Sequence, residues 1–196
     1  VYKRQLQRPL TEKCTTITWL NRQTREEAEQ RLWDIMEHNG AAALRLVQYV
    51  GSLPDALRMV RLGSNQLPAY TQPDWSYFWR KPDVRQRAEQ LYATVGEASR
   101  ELDVRLSMHP GQFTVLASDN PDIVNRSIEE FEYHVDIARW MGYGKKFQDF
   151  KINVHISVSK SASTGYRQKQ ETQLQSKTKK TPGGSNTSSN SVDIVV

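Results

Sequence analysis

One cysteine in 196 residues, Cys14, excludes an intrachain disulfide scaffold and any zinc site built from several thiolates. No stretch approaches the roughly 18 consecutive uncharged apolar residues of a membrane helix. The opening VYKRQLQRPL lacks the apolar segment of a secretory signal. A reducing, cytoplasmic setting with no membrane partner is the resulting expectation. Val1 in place of an initiating Met points to a fragment, and no internal repeat is present. Acidic side chains are scarce only near the end. Val158 to Val196 holds six basic and two acidic residues, whereas residues 1–157 hold 21 and 20. The net charge of +5 therefore belongs to the tail, and gives no argument that the folded part binds nucleic acid.

What is present is aromatic. Five Trp, eight Tyr and five Phe can seed a sizeable core despite a mean hydropathy of −0.70. TTITWL (15–20) has strand-like residues. Thr24-Arg25-Glu26-Glu27 has the form of a capping box. Ala28, Leu32, Ile35, Met36, Asn39, Leu44, Val47 and Val50 follow at helical spacing, predicting a helix over 25–50 with a bend near Gly40. Leu57–Leu62 suits a buried strand, and a long loop runs through Asn65–Trp79. Pro82-Asp83 opens a helix with Ala88, Leu91, Val95, Ala98 and Leu102 on one face, and Val104–Met108 is a second strand. Asn120-Pro121 caps a third helix, with Val124, Ile128, Phe131, Val135 and Ala138 inward and Gly142 as its stop. Lys151–Ile156 reads as a third strand. Alternating strands and helices argue for βα units on a parallel sheet, either a doubly wound open sheet or a (β/α)₈ barrel. Both place functional residues where strands end.

After Ser157 the pattern collapses. Ser, Thr, Lys and Gln supply 22 of the 39 residues from Val158 to Val196, too little apolar surface to offset chain entropy. The division expected is a folded domain over 1–157 and a disordered tail over 158–196.

His109 leads the candidates. It ends a strand, between Met108 and Pro110-Gly111, where an imidazole binds a divalent metal, acts as acid or base, or is simply a hydrogen-bonded loop residue. His155 holds the equivalent place on the next strand, so both point at one mouth. His38 and His134 lie in helices and read as satisfied helix histidines. Gln112 and Phe113 form an amide beside an aromatic, a pair suited to wedging into a base stack. The alternative is an ordinary loop with Phe113 in the core. Tyr70, Trp75, Tyr77, Phe78 and Trp79 lie beside Arg80 and Lys81, as in a nucleic-acid groove or a hydrophobic lid. Arg58, Arg61 and Arg105 flank strands and read as solvated or paired.

At Arg105-Leu106-Ser107-Met108-His109-Pro110-Gly111-Gln112-Phe113-Thr114-Val115-Leu116 the sequence resembles the UV-damage endonuclease family, in which a strand ends in a similar HPGQ-aromatic motif. Arg61-Leu62-Gly63-Ser64, Leu67-Pro68, Ser127–Glu130, Tyr133-His134 and Asn153-Val154-His155 extend the resemblance over roughly 14–157. It implies a (β/α)₈ TIM barrel that nicks DNA immediately 5′ of ultraviolet photoproducts, using divalent metal ions, Mn²⁺ before Mg²⁺ or Zn²⁺. His109 and His155 match metal-ligand, catalytic histidines. Gln112 and Phe113 match the pair inserted into the duplex. The partner implied is double-stranded DNA with UV lesions, bound by a monomer. Gln72 stands where a metal-ligating side chain is expected. A complete barrel needs about 250 residues, so the chain reads as the N-terminal half of one, inactive alone. The other functions weighed are an abasic-site endonuclease, a sugar isomerase-like barrel and a non-catalytic DNA-binding module. The HPGQ-aromatic loop disfavours the isomerase, and binding indifferent to metal would mark the module.

Overall fold

A computed structural model of the protein describes residues 10–111, 114–146 and 149–153. The strand-like TTITWL is helical: α1 spans Ile17–Leu20, because the Thr16 hydroxyl accepts the Trp19 N–H at 3.1 Å. A local cap outweighs the β-preference of this run. The capping box at the head of α2 (Arg25–Gly51) forms as the sequence predicts. The Glu27 N–H reaches Thr24 Oγ1 at 3.3 Å, and the Thr24 N–H reaches Glu27 Oε2 at 3.2 Å. Gly40 lies inside this uninterrupted helix, and its role is proximity. A Cβ there would stand 3.1 Å from the Cβ of Leu91.

A short 3₁₀ turn (Asp55–Leu57) precedes β1 (Met59–Leu62), so Leu57 lies outside the strand. The helix α4 (Pro82–Glu101) leads to β2 (Arg105–Met108), and α5 (Pro121–Trp140) to β3 (Lys151–Ile152). The three strands are parallel, in the order β1-β2-β3. Val60 and Leu62 pair with Leu106 and Met108, and all four are buried in the core with α2, α4 and α5. The described residues thus build an α/β assembly on a parallel sheet.

The aromatic loop is core. The short helix α3 (Ser76–Trp79) buries Phe78 and Trp79, and Trp75 precedes it, also buried. Tyr70 packs between Trp79 and Tyr133, at 6.1 and 4.8 Å between ring centroids. The aromatic side chains of Asn65–Trp79 thus pack on the core, as the lid reading has it. Its cationic neighbour Lys81 is held by Glu29 at 2.6 Å. Arg58 is paired as well, with Asp55 at 3.0 Å.

The third helix is rolled relative to the expected face. Ile128 is 47% exposed, while Ser127, Tyr133, His134, Ile137 and Ala138 are buried. Its far end is fixed by contact with α4: a Cβ on Gly96 would fall 1.9 Å from the Met141 carbonyl oxygen. Gly142 then ends the helix at φ +87°, a conformation glycine adopts without strain. Gly96→Ala must push α4 and α5 apart, and is expected to lower the unfolding free energy by about 3 kcal/mol. Urea unfolding followed by tryptophan fluorescence measures this; a loss below about 1 kcal/mol would contradict the packing described.

Candidate functional site at the carboxyl ends of the strands

The chain leaving β1 is fixed by buried polar groups. The Asn39 side chain, from α2, accepts the Lys13 N–H at 2.7 Å and donates to the carbonyls of Lys13, Asn65 and Gln66 at 2.9, 3.1 and 3.0 Å. From α5, the Tyr133 hydroxyl accepts the Leu67 N–H at 2.9 Å and donates to the Ser64 carbonyl at 3.0 Å. Glu12 accepts the Gly63 N–H at 2.8 Å and the Gln66 side-chain amide, and burial pushes its carboxyl above the usual range.

The chain leaving β2 carries His109, half-buried beside buried Pro110. Beyond it the Thr114 N–H returns to the Gly111 carbonyl at 3.0 Å. The Val115 N–H donates to Ser127 Oγ at 2.8 Å, and that hydroxyl donates to the Ile123 carbonyl at 2.7 Å. Between the two loops and α5 lies a groove of ≈ 730 Å³, lined in part by Ser64, Thr71, Gln72, Gly111, Arg126 and Glu130. A Cβ built on Gly111 meets nothing within 4 Å, so the backbone there is open to the groove.

Thr71 donates to the Glu130 carboxylate at 3.2 Å. Burial raises the pKa of Glu130, and this hydrogen bond opposes the rise. One turn on, His134 is fully buried and donates from Nδ1 to the Glu130 carbonyl at 2.6 Å. Its Nε2 has no hydrogen-bond partner among the described residues. Burial lowers the pKa of His134, the Glu130 carbonyl opposes this, and positive charge on His109 lowers it further. The ring is therefore neutral at physiological pH, with a buried lone pair electrostatically coupled to His109.

A mouth of this kind, at the carboxyl ends of parallel strands, has known relatives. The profile of the UV-endonuclease UvdE family matches residues 1–182. The chain belongs to this family. The UV DNA damage endonuclease of Bacillus cereus strain Q1 is 27% identical over 144 residues, 74% of this chain and 42% of the relative. That of Bacillus anthracis is 26% identical over the same coverage. The crystal structure of SacUVDE shares the fold with a TM-score of 0.61 at 23% identity, over 76% of this chain and 45% of that one. The chain thus spans less than half the length of these UvdE relatives. The UvdE match runs past Ser157, across residues that lie outside those described.

The structure places His109 where the sequence puts it, at the end of β2. Gln112, Phe113 and His155 lie outside the described residues. The Asn153 N–H donates to the Met108 carbonyl at 3.0 Å, which lays the strand that precedes His155 alongside the one that carries His109. His38 donates to the Thr11 carbonyl at 3.0 Å, a satisfied helix histidine as expected. His134 is more deeply placed than the sequence suggests. Among the described residues no three His, Cys, Asp or Glu side chains converge as a metal would require. The described residues alone therefore do not complete a metal shell. No helix among them is long and apolar enough to cross a membrane.

The roles of Asn39, Glu12, Ser127, Glu130 and Tyr133 in holding the mouth escape the sequence reading. For Asn39 there was a signal, a polar residue on an otherwise apolar stripe; for Glu12 there was none. Burial in the folded state raises the pKa of Glu130. Its protonated form is favoured by folding, so its stabilising effect is full below the unfolded pKa of about 4.3 and is lost as pH rises through the folded value. Glu130→Gln keeps an acceptor for Thr71 and removes the buried charge. The variant is expected to melt higher than wild type at pH 7 and equally at pH 4 or below; a lower melting temperature at pH 7 would contradict the burial.

Proposed function

We propose that this chain carries the first βα units and the His109 mouth of a (β/α)₈-barrel endonuclease that repairs DNA by nicking it 5′ of ultraviolet photoproducts. The observation that supports this best is the half-buried imidazole of His109 at the carboxyl end of β2, beside an open groove, in a chain of the UvdE family. The relatives named above are UV DNA damage endonucleases.

In this reading His109 and His155 hold a divalent cation, Mn²⁺ before Mg²⁺ or Zn²⁺. When bound, such an ion activates water and stabilises charge on a phosphodiester. The remaining ligands come from outside the described residues. The chain's own residues bind and orient. Open backbone at Gly111 and the Thr71 and Ser64 hydroxyls offer the groove wall that a sugar-phosphate strand needs. Gln112 and Phe113, on the same loop as His109, act as the wedge. A photoproduct stacks poorly, which lowers the cost of turning it out of the helix and supplies selectivity.

Fluorescence anisotropy with one duplex oligonucleotide, irradiated or not, tests the damage-reading half of this proposal. Wild type is expected to bind the irradiated duplex about tenfold more tightly, on the scale of one base–aromatic stack. Gln112→Ala/Phe113→Ala is expected to erase the difference and leave salt-dependent binding common to both duplexes. Equal affinity for the two duplexes, or a preference that survives the double substitution, would contradict it.

A further inference from the structure

An arginine on a helix surface readily pairs with a carboxylate three or four residues away. On α4, Arg85 meets Glu89 and Arg87 reaches Glu37 of α2; on α5, Arg139 lies near Asp136. Arg126, in the second turn of α5, has Asp122 four residues before it and Glu129 and Glu130 three and four residues after. Yet none of the ion pairs among the described residues involves it. Its Nε donates instead to the Asp122 carbonyl at 3.3 Å, and Glu130 is turned to Thr71. The guanidinium is thus tethered at its inner nitrogen, while the side chain stays exposed and without a carboxylate.

This side chain lines the groove at the mouth, and among the described lining residues it is the one cation. Ile123, one turn earlier, lines the groove as well and is 38% exposed. A cation and an aliphatic side chain on adjacent turns match a nucleic-acid strand, in which phosphates alternate with sugars. A carboxylate on a protein surface would also meet Arg126, but would leave most of a groove of ≈ 730 Å³ unused. A strand of phosphates continues along it to the open backbone of Gly111, on the loop of His109. The Glu129 carboxylate, at the same groove, opposes such a strand, so Arg126 has to supply the attraction.

We propose that Arg126 grips a backbone phosphate of a DNA strand lying in this groove, a contact that adds affinity without reading damage. Phosphate contacts position a duplex and carry no base information directly. Arg126 and the Gln112-Phe113 pair thus divide the work, the first holding any strand and the second preferring a damaged one. The proposal deepens the nuclease reading and rests on it, but affinity and preference are separate readouts and can fail separately.

The full chain is titrated against the irradiated and the unirradiated duplex by fluorescence anisotropy over a series of salt concentrations. Arg126→Ala is expected to weaken binding of both duplexes about fivefold, on the scale of one hydrogen bond. The slope of log affinity against log salt is expected to fall by about one, with the ratio between the duplexes as in wild type. Arg126→Lys is expected to keep most of the affinity and the full slope. Glu129→Gln, which removes a carboxylate from the groove, is expected to tighten binding of both. Melting temperatures equal to wild type are expected throughout, because both side chains are exposed. Unchanged affinity or salt slope in Arg126→Ala, or a loss confined to the irradiated duplex, overturns the proposal even where the damage preference is found. If wild type binds both duplexes equally and Arg126→Ala weakens both, the damage-reading proposal fails and the phosphate contact stands. A wild-type chain that binds neither duplex overturns both.

Discussion

Two buried side chains hold the loop after β1, and the mouth depends on them. Asn39 reaches from α2 and Tyr133 from α5, and between them they satisfy the backbone of Lys13, Ser64, Asn65, Gln66 and Leu67. Each bond adds only about 1 kcal/mol net, but each buried backbone group left unpaired costs about 1–3 kcal/mol. The loop consequently has one low-energy placement. That placement brings Thr71 to Glu130, Gln66 to Glu12 and Tyr92 to Gln66, so the groove wall and the path of the chain are fixed together.

The helix α5 does the same for the second loop. Ser127, Glu130, Tyr133 and His134 recur at helical spacing along one stripe. They contact, in order, the chain after β2, the loop after β1 at Thr71, the same loop at Ser64 and Leu67, and the helix's own carbonyl at Glu130. This polar stripe is why the helix is rolled away from the expected face and why Ile128 stays in solvent. It also sets the electrostatics around His109. Burial favours the neutral form of His134 and disfavours ionisation of Glu130 beside the groove.

Much of the framework is legible in the sequence because its signals are local. Thr24 with Glu27, Asn120 before Pro121, and Gly142 after α5 each act within a turn of the residues they organise. The HPGQ-aromatic run is local as well, and it leads to the family. The errors are also instructive. Thr16 caps a helix inside a run with strand propensity, so a single side-chain bond reverses the reading. Asn39 and Tyr133 pair with backbone 26 to 69 residues away, and spacing along one helix carries no trace of such a partner. Gly40 reads as a bend and Gly96 carries no reading, whereas both mark close approaches: the Leu91 side chain lies against Gly40, and the Met141 carbonyl leaves no room for a side chain at Gly96.

The proposed function requires that His109 bind a metal ion at this mouth. Crystals of the chain grown with Mn²⁺ and measured at the manganese absorption edge address it directly. An anomalous peak at coordination distance from a ring nitrogen of His109, lost in His109→Ala, is expected. No peak at His109, or a peak that persists at the same place in His109→Ala, would contradict it.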